Sequence, residues 1–296
     1  MTDKVVSKIK EEVEQAPKVQ KRIIYKQEAL DAASRFRTLP DSKRYVIRFS
    51  IEQLFEYYSL LISFLLLGIT GLSQSFSQTA AGNFMLMVFG GINAARQVHH
   101  IAAIVLGLQF LYHVYLFFYL YIERRYFSSI VPAWNDVVHI FQMLKFNLGL
   151  STQYPRFDRY TFEEKISYWT LVVGAVLLGV TGLFQWFPIA TTRYLPGWII
   201  PAGRMLHRWE AIFLVLFFLI WHTYHSLVKK RDTRMINGMM SVEDMQKNHP
   251  LELAYLELAA SEVDSKNWPV LIKIPLEEDV SLAQKTDDKL PQGSGE

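Results

Sequence analysis

The chain has 296 residues, 51% of them hydrophobic and 14% aromatic, with a formal net charge of only +3. So small a charge makes no electrostatic case for a nucleic-acid partner. The chain has no cysteine, which excludes disulfides, thiolate zinc sites, cysteine-ligated iron–sulfur clusters and covalently attached c-type haem; any metal must be held by His, carboxylate or Met.

Residues 1–49 are polar and rich in Lys and Arg. They read as a cytoplasmic arm, with short helices expected around Asp3–Glu14 and Lys26–Arg37 and no apolar core of a cleavable signal peptide. Four membrane-length apolar segments follow, at about 51–76, 98–122, 166–187 and 206–228. Residues 50–228 are therefore predicted to form a four-helix transmembrane domain. Between the second and third spans, residues 135–150 place Val138, Phe141, Leu144 and Leu148 at helical spacing. That pattern predicts an amphipathic helix on the inner membrane surface. Residues 229–296 are polar again and read as a cytoplasmic tail. Its last twenty or so residues, ending DDKLPQGSGE, are expected to be disordered or held by a partner.

Lys43, Arg44 and Arg48 precede the first span. Arg124, Arg125, Lys145, Arg156 and Arg159 lie between the second and third, and Lys229, Lys230 and Arg231 follow the fourth. The two opposite loops are poorer in positive charge, so both termini are expected inside, in a multi-pass protein of the bacterial cytoplasmic (inner) membrane.

The chain also echoes itself. LLGITGLSQSF at Leu66–Phe76 matches LLGVTGLFQWF at Leu177–Phe187, and RQVH at Arg96–His99 resembles RMLH at Arg204–His207. These matches predict two helix hairpins in the same orientation, a parallel repeat; chance likeness between apolar helices is the alternative.

Six of the eight histidines fall in the second and fourth spans. Ionisable side chains in a bilayer are costly and usually functional. His99 and His113 are separated by about 21 Å of helix rise and lie about 40° from a common line, and His207 to His222 gives about 22 Å and 60°. His207 to His225 would rise about 27 Å, which does not match. Two neighbouring helices would thus present two pairs at equal depths: His99 with His207 near the outer surface, His113 with His222 nearer the inner one. Paired neutral imidazoles suit the two axial positions of haem iron, which leaves no open position and favours electron transfer. Gly68, Gly71, Gly107, Gly179 and Gly182 could let a flat ring approach the backbone. Arg96 and Arg204, each three residues before an outer histidine, could hold haem propionates. His100 reads as a rim residue and His225 as an interfacial residue or alternative inner ligand. His139 and His249 read as surface residues.

The stretch FEEKISYWTLVVGAVLLGVTGLFQWFP at Phe162–Pro188, followed by HRWEAIFLVLFFLIWH at His207–His222, resembles bacterial membrane cytochrome b subunits of the formate-dehydrogenase-gamma and thiosulfate-reductase type. The resemblance runs from about Tyr45 to Glu257, including NHPLELAYLE. It implies an all-α integral membrane four-helix bundle with two b haems. It also implies electron transfer between the quinone pool (menaquinone or ubiquinone) and an extracytoplasmic redox subunit: a multihaem cytochrome c, an iron–sulfur protein or a molybdenum protein. Many relatives carry a His in the first span, in a pattern like ERxEH. Here the stretch is QLFEY, with Tyr57 at the His position and Leu54 at the Arg position, so two haems are expected and not three.

Quinone chemistry also moves protons. Glu163, Glu164 and Tyr168 at the inner start of the third span, with Tyr57 and Glu56 in the matching part of the first, are candidates for a quinone or proton site. Two other readings of the same histidines stay open: a haem-free proton or solute translocator, and a membrane anchor whose haems are structural.

Overall fold

The computed structural model describes residues 19–39, 43–123, 130–224 and 234–275. In chain order the elements are β1 (Val19–Ile24), α1 (Lys26–Ser34), β2 (Phe36–Thr38), β3 (Arg44–Ile47), α2 (Ile51–Ser75), α3 (Ala80–Val88), α4 (Ile92–Glu123), α5 (Trp134–Asn147) and α6 (Phe162–Trp186). There follow α7 (Pro188–Tyr194), α8 (Ile199–Phe217), a π-helical turn (Phe218–His222), α9 (Arg234–Asn237), β4 (Met239–Ser241), α10 (Val242–Asn248), α11 (Pro250–Ser261) and β5 (Val270–Pro275). The chain divides into two compact units. One comprises Phe49–Ala133 and Phe162–Gly238; the other gathers the residues up to Arg48, Trp134–Thr161 and those from Met239 on.

The first unit is an integral-membrane helical bundle. Among the described residues, α2, α4 and α6 are each long and apolar enough to cross a membrane. Ser50 starts α2 with a capping box: its hydroxyl accepts from the Gln53 N–H, and the Gln53 side chain accepts from the Ser50 N–H. α2 packs on α4, α6 on α8, and α2 also on α8. A Cβ at Gly174 would sit 2.5 Å from Leu214 Cδ1, so α6 and α8 meet where a side chain is missing. Ile101, Ile104, Val105, Leu108 and Leu111 of α4 are exposed, as expected for side chains that face lipid tails.

Two boundaries move outward from the expected ones. α4 starts at Ile92 and α8 at Ile199, ahead of the 98 and 206 that hydropathy suggested. Arg96 and Arg204 lower the hydropathy but are good helix formers, so the helix runs on through them. The fourth span also differs from a plain 206–228 helix, because α8 passes at Phe218 into the π-helical turn. The short α3 and α7, which connect the spans, were not anticipated: a window sized for a membrane crossing averages over helices of nine and seven residues.

The second unit groups residues of the arm, the surface-helix region and the tail. Residues of the arm and the tail meet in one core containing Ile24, Ala29, Val46, Met245, Leu256 and Ile272. β1 pairs antiparallel with β5, and β2–β3–β4 form a second small sheet. The strands have three to six residues, too short for a sequence pattern to announce. α11 begins with Pro250 and buries Glu252, Leu253, Tyr255, Leu256, Leu258 and Ala259, as a helix inside a core does.

α5 matches the expected amphipathic helix in extent. Met143 is buried, while Val138, Phe141, Leu144 and Leu148 remain exposed. The expected helix at Asp3–Glu14 and the last stretch of the tail lie outside the described residues. His249 is no surface residue: it is 1% exposed, and its Nδ1 pairs with the Asp158 carbonyl at 2.8 Å. His139 sits edge-on to Phe157, with centroids 5.1 Å apart.

Burial pushes the half-buried Glu257 carboxyl above the ordinary range, against the opposing pull of Arg44. A carboxyl with a raised folded pKa holds its proton more tightly in the folded state. Its contribution to stability is full below the unfolded pKa and is lost as pH rises through the folded one. Glu257→Gln is therefore expected to stabilise this unit at neutral pH and to flatten that decline. Limited proteolysis of the full chain in detergent across pH 4 to 8 would read the change; a Gln variant with the parental pH profile would clear Glu257 of the effect.

Candidate functional site

The membrane unit brings His99 and His207 together. Their ring centroids lie 6.4 Å apart, with planes at 66°. Two metal–imidazole bonds of about 2.0 Å, laid end to end with half of each ring, span roughly 6 Å. The pair therefore fits a single six-coordinate iron between the rings. Each ring is held at its other nitrogen by the neighbouring helix of its own hairpin: His99 Nδ1 lies 2.9 Å from Thr70 Oγ1, and His207 Nδ1 lies 3.0 Å from Thr181 Oγ1. Nε2 is then the nitrogen left for a metal.

Gly71 and Gly182, next in sequence to those threonines, set the closeness of the rings. A Cβ at Gly71 would come 3.1 Å from His99 Cε1, and one at Gly182 3.3 Å from His207 Cε1. Of the other glycines singled out, Gly68 faces Val215 at 3.2 Å, while Gly107 and Gly179 face open space. The Gly-x-Thr-Gly match was read only as the mark of a repeat, and the threonines were missed as site residues. The signal was available: each Thr falls in the helix before its histidine, in the same motif of each hairpin.

Arg96 and Arg204 are exposed on α4 and α8, one turn before the outer histidines. His100 stacks on Trp186 with centroids 3.9 Å apart and planes at 16°, which occupies it elsewhere.

Deeper in the bundle, His113 Nε2 lies 2.9 Å from the Tyr168 hydroxyl, and its Nδ1 lies 3.6 Å from Glu56 Oε2. Gln109 Nε2 donates to the Glu56 carbonyl. Tyr168 thus meets the predicted inner ligand. Glu163 and Glu164 stand half-buried in the first turn of α6, before it. Tyr57 is half-buried on α2, edge-on to Tyr58.

The His222 side chain and the whole of His225 lie outside the described residues. The backbone of His222 closes the π-helical turn, where the Thr223 N–H reaches back to the Phe218 carbonyl. Such a turn takes up one residue relative to an α-helix. Fifteen residues from His207 therefore rotate like fourteen, about 40° short of whole turns. That is the phase of His99 to His113.

Residues 117–241 match the family model described as prokaryotic cytochrome b561. The chain is 24% identical over 209 residues to the formate dehydrogenase cytochrome b556(fdo) subunit of Escherichia coli K12, covering 69% of this chain and 90% of that one. It is 23% identical over 206 residues to the formate dehydrogenase cytochrome b556 subunit of Haemophilus influenzae Rd, covering 69% and 81%. It is 22% identical over 213 residues to the nitrate-inducible formate dehydrogenase cytochrome b556(Fdn) subunit of E. coli K12, covering 71% and 91%. On these matches the chain is similar to membrane cytochromes b, the resemblance that its own motifs carry.

Proposed function

We propose that the protein is the electron-transferring cytochrome b subunit of a respiratory complex, with two bis-His b haems linking the quinone pool to an extracytoplasmic redox subunit. The observation that carries this reading is the His99–His207 pair, 6.4 Å apart across two helix hairpins. Bound haem would supply one-electron exchange without an open axial position. His99 and His207 would hold the outer group, and Arg96 and Arg204 its propionates. His113 and His222 would hold the inner one. The matched backbone phase of the two ligand spacings supports the inner pair; for His113 to bind iron through Nε2, the Tyr168 hydroxyl must give up that nitrogen. The two levels, about 21 Å apart along the helices, set an electron path across the bilayer.

Tyr168, Glu163, Glu164 and Tyr57 form the candidate quinone and proton site, at the inner ends of the third and first spans. The excess of Lys and Arg before the first span, between the second and third, and after the fourth supports a cytoplasmic side for all three, with both termini inside the bacterial cytoplasmic membrane. The exposed stripe Val138–Phe141–Leu144–Leu148 would rest on that membrane surface. The outer partner is a redox subunit of the class named in the resemblance: a multihaem cytochrome c, an iron–sulfur protein or a molybdenum protein. The relatives' names favour a complex with a catalytic dehydrogenase.

A reduced-minus-oxidised visible spectrum with haem extraction tests the reading. Two non-covalent haems per chain are expected. A protein purified with no visible absorbance, and unable to take up added haem, would leave the haem-free translocator in its place.

A further inference from the structure

We propose that Thr70 and Thr181 are positioning residues: they lock His99 and His207 in one tautomer and so lower the reduction potential of the outer haem. The proposal rests on the bis-His reading above and adds to it the residues that set that site's electronics.

A threonine hydroxyl carries a single proton. Thr70 Oγ1 lies 2.5 Å from the Leu66 carbonyl, and Thr181 Oγ1 lies 2.8 Å from the Leu177 carbonyl, each four residues back along its helix. A carbonyl only accepts, so the hydroxyl proton is spent there. The oxygen that remains can only accept from the ring. Each histidine must then carry its proton on Nδ1 and present a bare Nε2 lone pair.

The arrangement occurs twice, with Thr and His 29 residues apart in one hairpin and 26 in the other. Both threonines are buried, at 0% and 4% exposure, so water does not replace the contact. Gly71 and Gly182 seat both rings against the backbone at the same edge. Sharing the Nδ1 proton with an acceptor makes the imidazole a stronger electron donor and fixes its plane. A stronger axial donor favours ferric iron over ferrous, which lowers the potential. His113 meets Tyr168 and Glu56 and no threonine, so the threonine variants read the outer pair alone.

The test uses the full chain in detergent with its haems bound. Thr70→Val, Thr181→Val and the corresponding Ser variants are titrated optically, and their oxidised forms are examined by electron paramagnetic resonance. Each Val variant is expected to shift the ferric-to-ferrous ratio of one component about tenfold, a rise in midpoint of about 59 mV for a one-electron couple. The low-spin g-values of that component should move with it, and the other component should stay in place as internal standard. The Ser variants, which keep the hydroxyl, should return both readings to parental values. Loss of the outer haem in Val but not in Ser supports the proposal equally. Val variants with parental midpoint and g-values, or Ser variants that behave like Val, overturn it. His99→Ala and His207→Ala serve as controls: if both retain full haem, the ligand assignment itself is wrong and the proposal falls with it.

Discussion

A His207→Ala variant should lose the outer haem, about half of the bound total, and keep the inner one. The substitution removes one of two axial donors and leaves His99 alone on its side of a gap built for two rings 6.4 Å apart. It also strips Thr181 Oγ1 of its ring partner, in a place where it is 4% exposed. Loss of a supporting contact around a metal ligand usually costs about 10- to 100-fold in affinity, and loss of the ligand itself exceeds that. His99→Ala should give the same result from the other hairpin. His100→Ala is the matched control: its ring is stacked on Trp186, so haem content should hold. The ratio of extracted haem to protein decides between them. If the His100 variant loses haem while the His207 variant keeps it, the outer ligands have been misassigned.

Removing Glu252 should be the most damaging single change in the second unit. Three guanidiniums converge on its carboxylate: Arg48 at 3.2 Å, Arg159 at 3.5 Å and Arg35 at 3.8 Å. Glu252 is 4% exposed and Arg48 2%, so neither can turn to water. Breaking a buried pair from one side leaves an uncompensated charge inside and costs about 3–5 kcal/mol. Arg159 Nη2 also donates to the Arg48 carbonyl at 3.1 Å, which holds part of the cluster in place and argues for the lower end. Glu252→Ala should make the arm and tail sensitive to protease in the full chain, with the visible spectrum unchanged. A variant as resistant as the parent would mean that the arginines find other anions.

The membrane unit was the legible part of this chain, and its physics explains why. A bilayer demands apolar runs of fixed length, and four histidines at matched rise stand out against them. The errors came where hydropathy and helix formation part company, as at Arg96 and Arg204. The second unit was hidden for the opposite reason. Arg48 and Glu252 meet across some two hundred positions of sequence, and each alone looks like a solvated charge on a polar arm. Ile24 and Val46 of the arm share one core with Met245 and Ile272 of the tail, and no local period links them. Thr70 and Thr181 fell between these cases: the repeat containing them was plain, but only the fold shows that each reaches a histidine on the next span.

The wide turn at Phe218–His222 works as a slip joint in the fourth span. One residue more or less between the upper and lower grips of that rod is swallowed there, leaving the upper grip where it was. The two echoing hairpins thus keep one phase although the spacing from 207 to 222 is a residue longer than that from 99 to 113. It also separates the fates of the two levels: changes in the inner half of this rod can re-aim what lies there while the threonine-braced outer half keeps its setting.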